Sequence, residues 1–316
     1  MNVLETAALL AQQEDILIIT HRRPDGDTAG CAAGLCAALR QLGKQAWVLP
    51  NSDFTARFAP YLEPYLAPAG VVPAFVVSVD VAGRGLFTPE AEQWLERGID
   101  LAIDHHPSYE GFAKDCCVDP GRAACGELVY DIIRQWGPVG PEAALPLYVA
   151  VTTDCGCFQY GNTTPATHRV AAELMDTGID YTAVNKQLFR TKSFRRLALE
   201  GRLSAGMEFH DGGKIAIAAL PLSMAAQLGT TEEDMEDIAA FPGQIQGVET
   251  AVTIKERPDG GCKLSVRTTG GLNATKVCAL LGGGGHAAAA GCAVSGTVEQ
   301  AKRAVLDAIR TVQRDG

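Results

Sequence analysis

In the N-terminal third of the chain, apolar residues fall into short runs, and three of those runs end on chemically active side chains. Ile16-Leu17-Ile18-Ile19 is too short for a helix and β-rich enough for a buried strand, and it passes at once into Thr20-His21-Arg22-Arg23-Pro24-Asp25-Gly26-Asp27. Ala46-Trp47-Val48-Leu49 reads as the next strand. Phe75-Val76-Val77-Ser78-Val79 runs into Asp80, and Leu101-Ala102-Ile103 into Asp104-His105-His106. Helical spacing separates the runs: Val3, Leu4, Ala7 and Leu10 at the start, small apolar residues from Ala29 to Leu39 closed by Arg40 and Gly43, and an acidic stretch near Pro89 to Arg97. Strands alternating with helices predict a parallel sheet with right-handed crossovers, in which ligand groups sit just beyond the strand carboxyl ends.

Helical patterns then dominate from Gly126 to Trp136, Pro141 to Val151, Thr164 to Thr177 and Asp180 to Gly206. The last carries Lys186, Arg190, Lys192, Arg195, Arg196 and Arg202 and reads as a connection between domains. A second texture begins near Lys214. Ile215-Ala216-Ile217-Ala218 is strand-like, two alternating runs (Val248 to Lys255, Lys263 to Arg267) flank an Arg257-Pro258-Asp259-Gly260-Gly261 turn, and Val298 to Ile309 predicts a closing helix. The expected fold class is α/β: a parallel-sheet N-terminal domain over 1–185, a helical linker over 186–210, and a smaller α+β C-terminal domain over 211–316. A length of 316 residues agrees with two domains of ~150 each.

Composition narrows the partners. Hydrophobic residues at 47% and charged residues at 20% exclude a disordered chain or a coiled coil. A net charge of −10 argues against wrapping long duplex nucleic acid, which needs a basic face, but leaves small anionic substrates open if cations are supplied locally. Met1 to Asp15 lacks the basic start of a signal peptide, so a cytoplasmic location is expected. Val277 to Gly296 has no charged residue but holds six Gly and His286, which rejects a membrane span. The ten Cys show no paired zinc spacing and read as reduced core residues.

The chemistry concentrates after the strands. His21-x-x-x-Asp25-x-Asp27 puts three ligand types in one loop, although Asp27 alone would pass as a helix N-cap. Asp80, closing an apolar strand, must be paired, hydrogen-bonded or metal-bound. Adjacent His105 and His106 point in different directions, so one suits a metal and the other a substrate or a supporting role. Asp154 follows a further apolar segment. Converging, these groups hold four carboxylates and two imidazoles, a set suited to a pair of Mn²⁺ or Mg²⁺ ions and to hydrolysis. Far along the chain, the run Gly282 to Gly285 before His286 reads as a loop whose N–H groups approach an anion while the imidazole donates to phosphate or ribose.

Together, His21-x-x-Pro24-Asp25-Gly26-Asp27, Asp80, Asp104-His105-His106, Asp154 and Gly282-Gly283-Gly284-Gly285-His286-x-x-Ala289-Ala290-Gly291 resemble the DHH phosphoesterase superfamily, over nearly the whole length and in motif order. Within it the chain is similar to the NrnA-type subfamily of oligoribonucleases (nanoRNases) and 3′-phosphoadenosine 5′-phosphate (pAp) phosphatases. The resemblance implies a DHH domain and a smaller DHH-associated domain with the active site in the cleft between them. It implies two Mn²⁺ per chain, or Mg²⁺, one held by His21, Asp25 and Asp80 and the other by Asp27, Asp80, His105 and Asp154. Asp80 would bridge, Asp104 would orient His105 from behind, and His106 would lie near the scissile phosphate. Arg267 would grip a terminal phosphate with His286 and the glycines Gly283, Gly284 and Gly285.

The activity so implied is hydrolysis of short single-stranded oligoribonucleotides to mononucleotides, and of pAp to AMP, by a hydroxide bridging the two metals, with no membrane or long-duplex partner. A homodimer is left open. Two departures stand out: Cys155 replaces the family's Thr in Asp-Thr-Gly, and Thr268 replaces Ser in Ser-x-Arg-Ser. Arg22 and Arg23 fill variable positions, and either can help bind phosphate. The alternatives are a manganese-dependent inorganic pyrophosphatase, against which the missing Ser-Arg-Lys clamp counts, a linear or cyclic dinucleotide phosphodiesterase, and a non-enzymatic nucleotide-binding protein, against which the full ligand set counts.

Overall fold

The apolar runs of the N-terminal third become the strands of one parallel sheet. In the structure, a computed structural model that describes residues 1–315, the first of two units covers Met1–Thr191. Its elements in order are α1 (Val3–Ala11), β1 (Ile16–Ile19), α2 (Gly26–Gln41), β2 (Ala46–Val48), α3 (Ala59–Leu62), β3 (Phe75–Val79), α4 (Glu92–Arg97), β4 (Leu101–Asp104), β5 (Asp115–Val118), α5 (Cys125–Arg134), α6 (Pro141–Asp154), α7 (Pro165–Asp176) and α8 (Tyr181–Asn185). The strand order is β2-β1-β3-β4-β5, all pairs parallel. Sheet growth reverses between β1 and β3, so the loops leaving these neighbours part and open a crevice at their carboxyl ends.

β1, β3 and β4 are buried at every position, which is why they read as unbroken apolar runs. β5 went unforeseen because it is a half-exposed edge of sequence Asp-Cys-Cys-Val, with no apolar run to announce it. The helix α2 lies so close to α6 that a Cβ on Gly30 would come 2.2 Å from the Pro146 carbonyl oxygen, and one on Gly26 2.3 Å from Thr153 Oγ1. Only glycine admits this approach, and it sets how near the two helices bring their side chains.

The continuous helix expected over Asp180 to Gly206 is broken. After α8 and one wide turn, Lys186–Arg190, the chain is extended at Thr191, and α9 (Phe194–Ala205) starts afresh with Ser193 accepting from the Arg196 N–H at 2.9 Å. A serine that satisfies an orphan helix donor competes with continuing the helix. Three of the basic residues there are paired: Lys192 and Arg196 reach Glu200 at 2.9 and 2.8 Å, and Arg195 reaches Asp234 at 2.9 Å.

The second unit starts at Lys192. After α9 come β6 (Glu208–His210), β7 (Ile215–Leu220), α10 (Leu222–Leu228), β8 (Thr250–Glu256), β9 (Gly261–Thr268), α11 (Ala274–Ala279), β10 (Gly284–His286), β11 (Ala289–Ser295) and α12 (Val298–Asp315). The sheet order is β10-β11-β9-β8-β7-β6, antiparallel except for the β7–β8 pair. Its core packs Ile217, Val252, Ile254, Leu264 and Val266 of the sheet with Val277, Val305 and Ile309 of the helices. Among the described residues, no helix is long and apolar enough to cross a membrane.

Candidate metal centre

Each chemically active side chain follows from a local accident of folding at the carboxyl edge of the first sheet. The loop leaving β1 is pinned by Asn51, whose Nδ2 donates to Thr20 Oγ1 at 3.2 Å and to the His21 carbonyl at 3.0 Å, and by the Arg22 N–H donating to the Leu86 carbonyl at 2.7 Å. Asp25, not Asp27, caps α2: its Oδ1 accepts from the N–H groups of Asp27 and Thr28 at 3.1 and 3.2 Å. Asp27 is instead buried in the first turn, where its carboxylate accepts from the N–H groups of Cys125 at 2.7 Å and Gly126 at 2.9 Å. The start of α5 thus holds it in place.

Asp80 leaves β3 in the left-handed region at φ 58°, with its N–H still tied to the Ile103 carbonyl at 2.9 Å. A non-glycine residue held there is strained, and such strain persists where the surroundings fix a side chain for use. Asp104 ends β4, His105 and His106 follow it, and Asp154 is the last residue of α6.

These elements bring together all six residues proposed from the sequence as ligands. His21 Nε2 stands 3.6 Å from Asp25 Oδ1 and 4.0 Å from Asp80 Oδ2. On the other side, His105 Nε2 stands 3.5 Å from Asp80 Oδ1, 3.5 Å from Asp154 Oδ2 and 3.7 Å from Asp27 Oδ2. The distances are too long for hydrogen bonds, yet ligand atoms in each of the groups His21-Asp25-Asp80, Asp27-His105-Asp154 and Asp80-His105-His106 lie within 4.8 Å of one another. The two oxygens of Asp80 therefore face different groups.

Tautomers follow from the partners of the other ring nitrogens. His21 Nδ1 lies 2.8 Å from the Arg22 carbonyl and His105 Nδ1 lies 3.2 Å from the Arg122 carbonyl; as carbonyls only accept, each Nδ1 carries the proton and each Nε2 keeps a lone pair toward the carboxylates. The expectation that Asp104 orients the His105 ring is corrected. Its Oδ1 accepts from the His105 backbone N–H at 2.7 Å and from His106 Nδ1 at 2.7 Å, so the ring it fixes is that of His106, while Arg122 holds His105. Arg122, Asn51 and the N–H groups of Cys125 and Gly126 were not foreseen. They act through backbone atoms or a lone amide, which leave no pattern in a sequence.

Electrostatically the centre is short of positive charge. Burial first, then the neighbouring carboxylates, Asp154 for Asp27 and Asp27 for Asp80, push both carboxyl groups well above the usual range. Asp80 Oδ1 is buried and accepts no hydrogen bond. The His106 imidazole is raised, mainly by its hydrogen bond to Asp104 and against the effect of burial. An orphaned carboxylate oxygen among imidazole lone pairs fits a divalent cation of the Mn²⁺ or Mg²⁺ type, whose charge would restore the ionised carboxylates. A cavity of about 520 Å³ opens over the centre, lined by His21, Asp25, Asp80, His106 and Asp154 with Arg22, Arg23, Asp53 and Leu86.

In the second unit, the glycine run is a loop only in its first half: Gly282 and Gly283 precede β10, and Gly284 to His286 form it, paired antiparallel with β11. A Cβ on Gly283 would come 2.2 Å from the Gly291 carbonyl oxygen and one on Gly285 2.7 Å from that of Ala289, so these two glycines serve close chain packing there. Ala289 pairs with His286 on one side and Arg267 on the other, which places Arg267 and His286 in one row on the same face of the sheet. His286 is exposed and Arg267 half-buried.

Comparison with known proteins decides the family. The family described as "DHH family, N-terminal domain" matches residues 15–188. The chain belongs to the DHH family. A DHHA1 domain matches residues 212–315. The chain is 35% identical over 97% of its length, and 93% of the relative's, to the bifunctional oligoribonuclease and PAP phosphatase NrnA of Thermus thermophilus. To the protein of the same name from Bacillus subtilis it is 23% identical over 92% of each chain. Among solved structures, an exopolyphosphatase-related protein from Bacteroides fragilis shares the fold at a TM-score of 0.87, with 23% identity, covering 98% of this chain and 96% of that one.

Proposed function

We propose that this DHH-family chain is a hydrolase that uses two divalent metal ions, Mn²⁺ foremost, to cut short single-stranded oligoribonucleotides to mononucleotides and to dephosphorylate pAp to AMP. One observation carries the metal reading: the buried Asp80 carboxylate turns one oxygen toward His21 and the other, without a hydrogen bond, toward His105. His21, Asp25 and Asp80 would hold one ion, and Asp27, Asp80, His105 and Asp154 the other. The NrnA relatives supply the substrate class, short oligoribonucleotides and pAp.

Bound ions would lower the pKa of a shared water and offset charge developing on the phosphoryl oxygens. The chain's own groups do the rest. Nδ1 of His106 is committed to Asp104, so its ring is fixed with Nε2 available to hand a proton to the departing oxygen. The same hydrogen bond to Asp104 raises the basicity of the imidazole in the metal-free chain. On the second unit, Arg267, His286 and the glycines Gly283, Gly284 and Gly285 would bind the terminal phosphate.

The test is a panel of end-labelled di- to decanucleotides, pAp, a linear dinucleotide from a cyclic parent, and pyrophosphate, assayed with Mn²⁺. Turnover should be high on pAp and on strands of up to about five nucleotides and fall steeply beyond that length. Activity confined to pyrophosphate would overturn the reading.

A further inference from the structure

The ligand set and His106 leave two cations over the cavity unexplained. Arg22 and Arg23 both line it, both are exposed, and neither forms an ion pair among the described residues. They are the lysine or arginine side chains of a lining whose carboxylates are Asp25, Asp53, Asp80 and Asp154. Their loop is not loose. It is held by the Arg22 N–H on Leu86 and by Asn51 on the carbonyl of His21, and Pro24 beside them is buried. Arg23 sits at φ 50°, where an L residue is strained and glycine would be at ease. A strained arginine on a pinned loop, with no internal partner, is placed for something outside the chain.

We propose that Arg22 and Arg23 form a clamp for the phosphodiester next to the scissile one. This rests on the phosphoesterase reading above. Of the lining, Asp80 is buried, 3% exposed, whereas Arg22 and Arg23 are exposed, so they suit the charge one nucleotide away from the bond being cut. Guanidinium offers paired donors to phosphate oxygens, which an isolated ammonium does not. The clamp gives the first unit its own means of favouring a strand with a second internal phosphate, independent of any terminal phosphate.

The experiment compares ApApA with ApA, which differ by one internal phosphate and carry no terminal one, in the parent chain and in an Arg22→Ala/Arg23→Gly double variant with Mn²⁺. The parent should favour ApApA in kcat/KM, and the variant should lower that ratio roughly tenfold, mainly through KM, as expected for loss of charge-assisted hydrogen bonds. Arg23→Gly alone should melt no earlier than the parent, because glycine relieves the backbone. An unchanged ratio would overturn the clamp, and so would an equal fall on both substrates. If the parent cleaves neither dinucleotide nor trinucleotide, the phosphoesterase reading itself fails.

Discussion

Asp80 and Asp234 are both aspartates almost closed to water, 3% and 6% exposed, and the chain treats them in opposite ways. Asp234, in the second unit, is saturated: Ser193 Oγ, Arg195 Nε at 2.9 Å, the Thr231 N–H at 2.9 Å and Thr231 Oγ1 at 3.1 Å all donate to it. These donors hold its carboxyl far below the usual range, the Ser193 hydrogen bond most of all. Asp80 has an oxygen with no donor, a strained backbone and other carboxylates around it, and burial pushes its carboxyl up. A fully donated carboxylate closes the chain on itself. A starved one is unfinished without a cation, and the contrast separates a structural aspartate from one kept for a ligand.

The sharpest way to break this contrast is Asp80→Asn. Steady-state kinetics with Mn²⁺ should show activity reduced on the order of 10²–10³-fold, while the metal-free variant melts at or above the parent, since a neutral amide replaces a carboxyl whose ionisation its surroundings oppose. A variant that unfolds would make Asp80 as structural as Asp234.

Metal removal should give the next largest effect. In the metal-free chain the raised carboxyls of Asp27 and Asp80 keep protons that the unfolded chain has released, so stability falls as pH rises from the ordinary carboxylate value through the raised ones. A bound cation removes that penalty and displaces the protons. Thermal melts at one fixed Mn²⁺ concentration against EDTA should therefore show a larger gain at pH 7.5 than at pH 5, about 2.7 kcal/mol per ion where that concentration is a hundred times the Kd. Equal gains at both pH values would mean that the ion acts elsewhere.

Asp234→Asn carries the opposite sign. The lowered carboxyl stabilises the fold at pH above its unfolded value and loses that contribution as pH falls through its folded one. Denaturant titration should find the variant about 2 kcal/mol less stable at neutral pH, with the gap narrowing in acid and activity per folded molecule near that of the parent. Cys155→Thr should change least. The buried thiol donates to the Thr152 carbonyl at 3.7 Å and accepts from the Phe158 N–H at 3.3 Å, and a hydroxyl can do both. Activity should stay within about twofold and stability within about 1 kcal/mol.

What the sequence made readable follows from what burial does to composition. β1, β3 and β4 are covered on both faces, so their runs stood out and the polar residues ending them marked the sheet edge. β5 and β10 did not stand out, one a half-exposed edge and the other made of Gly-Gly-His, whose pairing with β11 depends on absent side chains. At the centre, the residues that converge were named from motif and spacing. Which imidazole Asp104 would hold was not, because it depends on the direction a chain takes on leaving a strand. The break before Ser193 was hidden by good helix formers on either side.

The close approach of α2 and α6 reaches beyond packing. Gly26 precedes Asp27 and meets Thr153, which precedes Asp154, so the contact between two backbones sets the gap between two carboxylates. A methyl added at Gly26 or Gly30 would widen that gap without altering any group that touches an ion or a phosphate. In a survey of inactivating substitutions, these helix positions would score with the ligands beside them, although neither glycine contributes an atom to the centre.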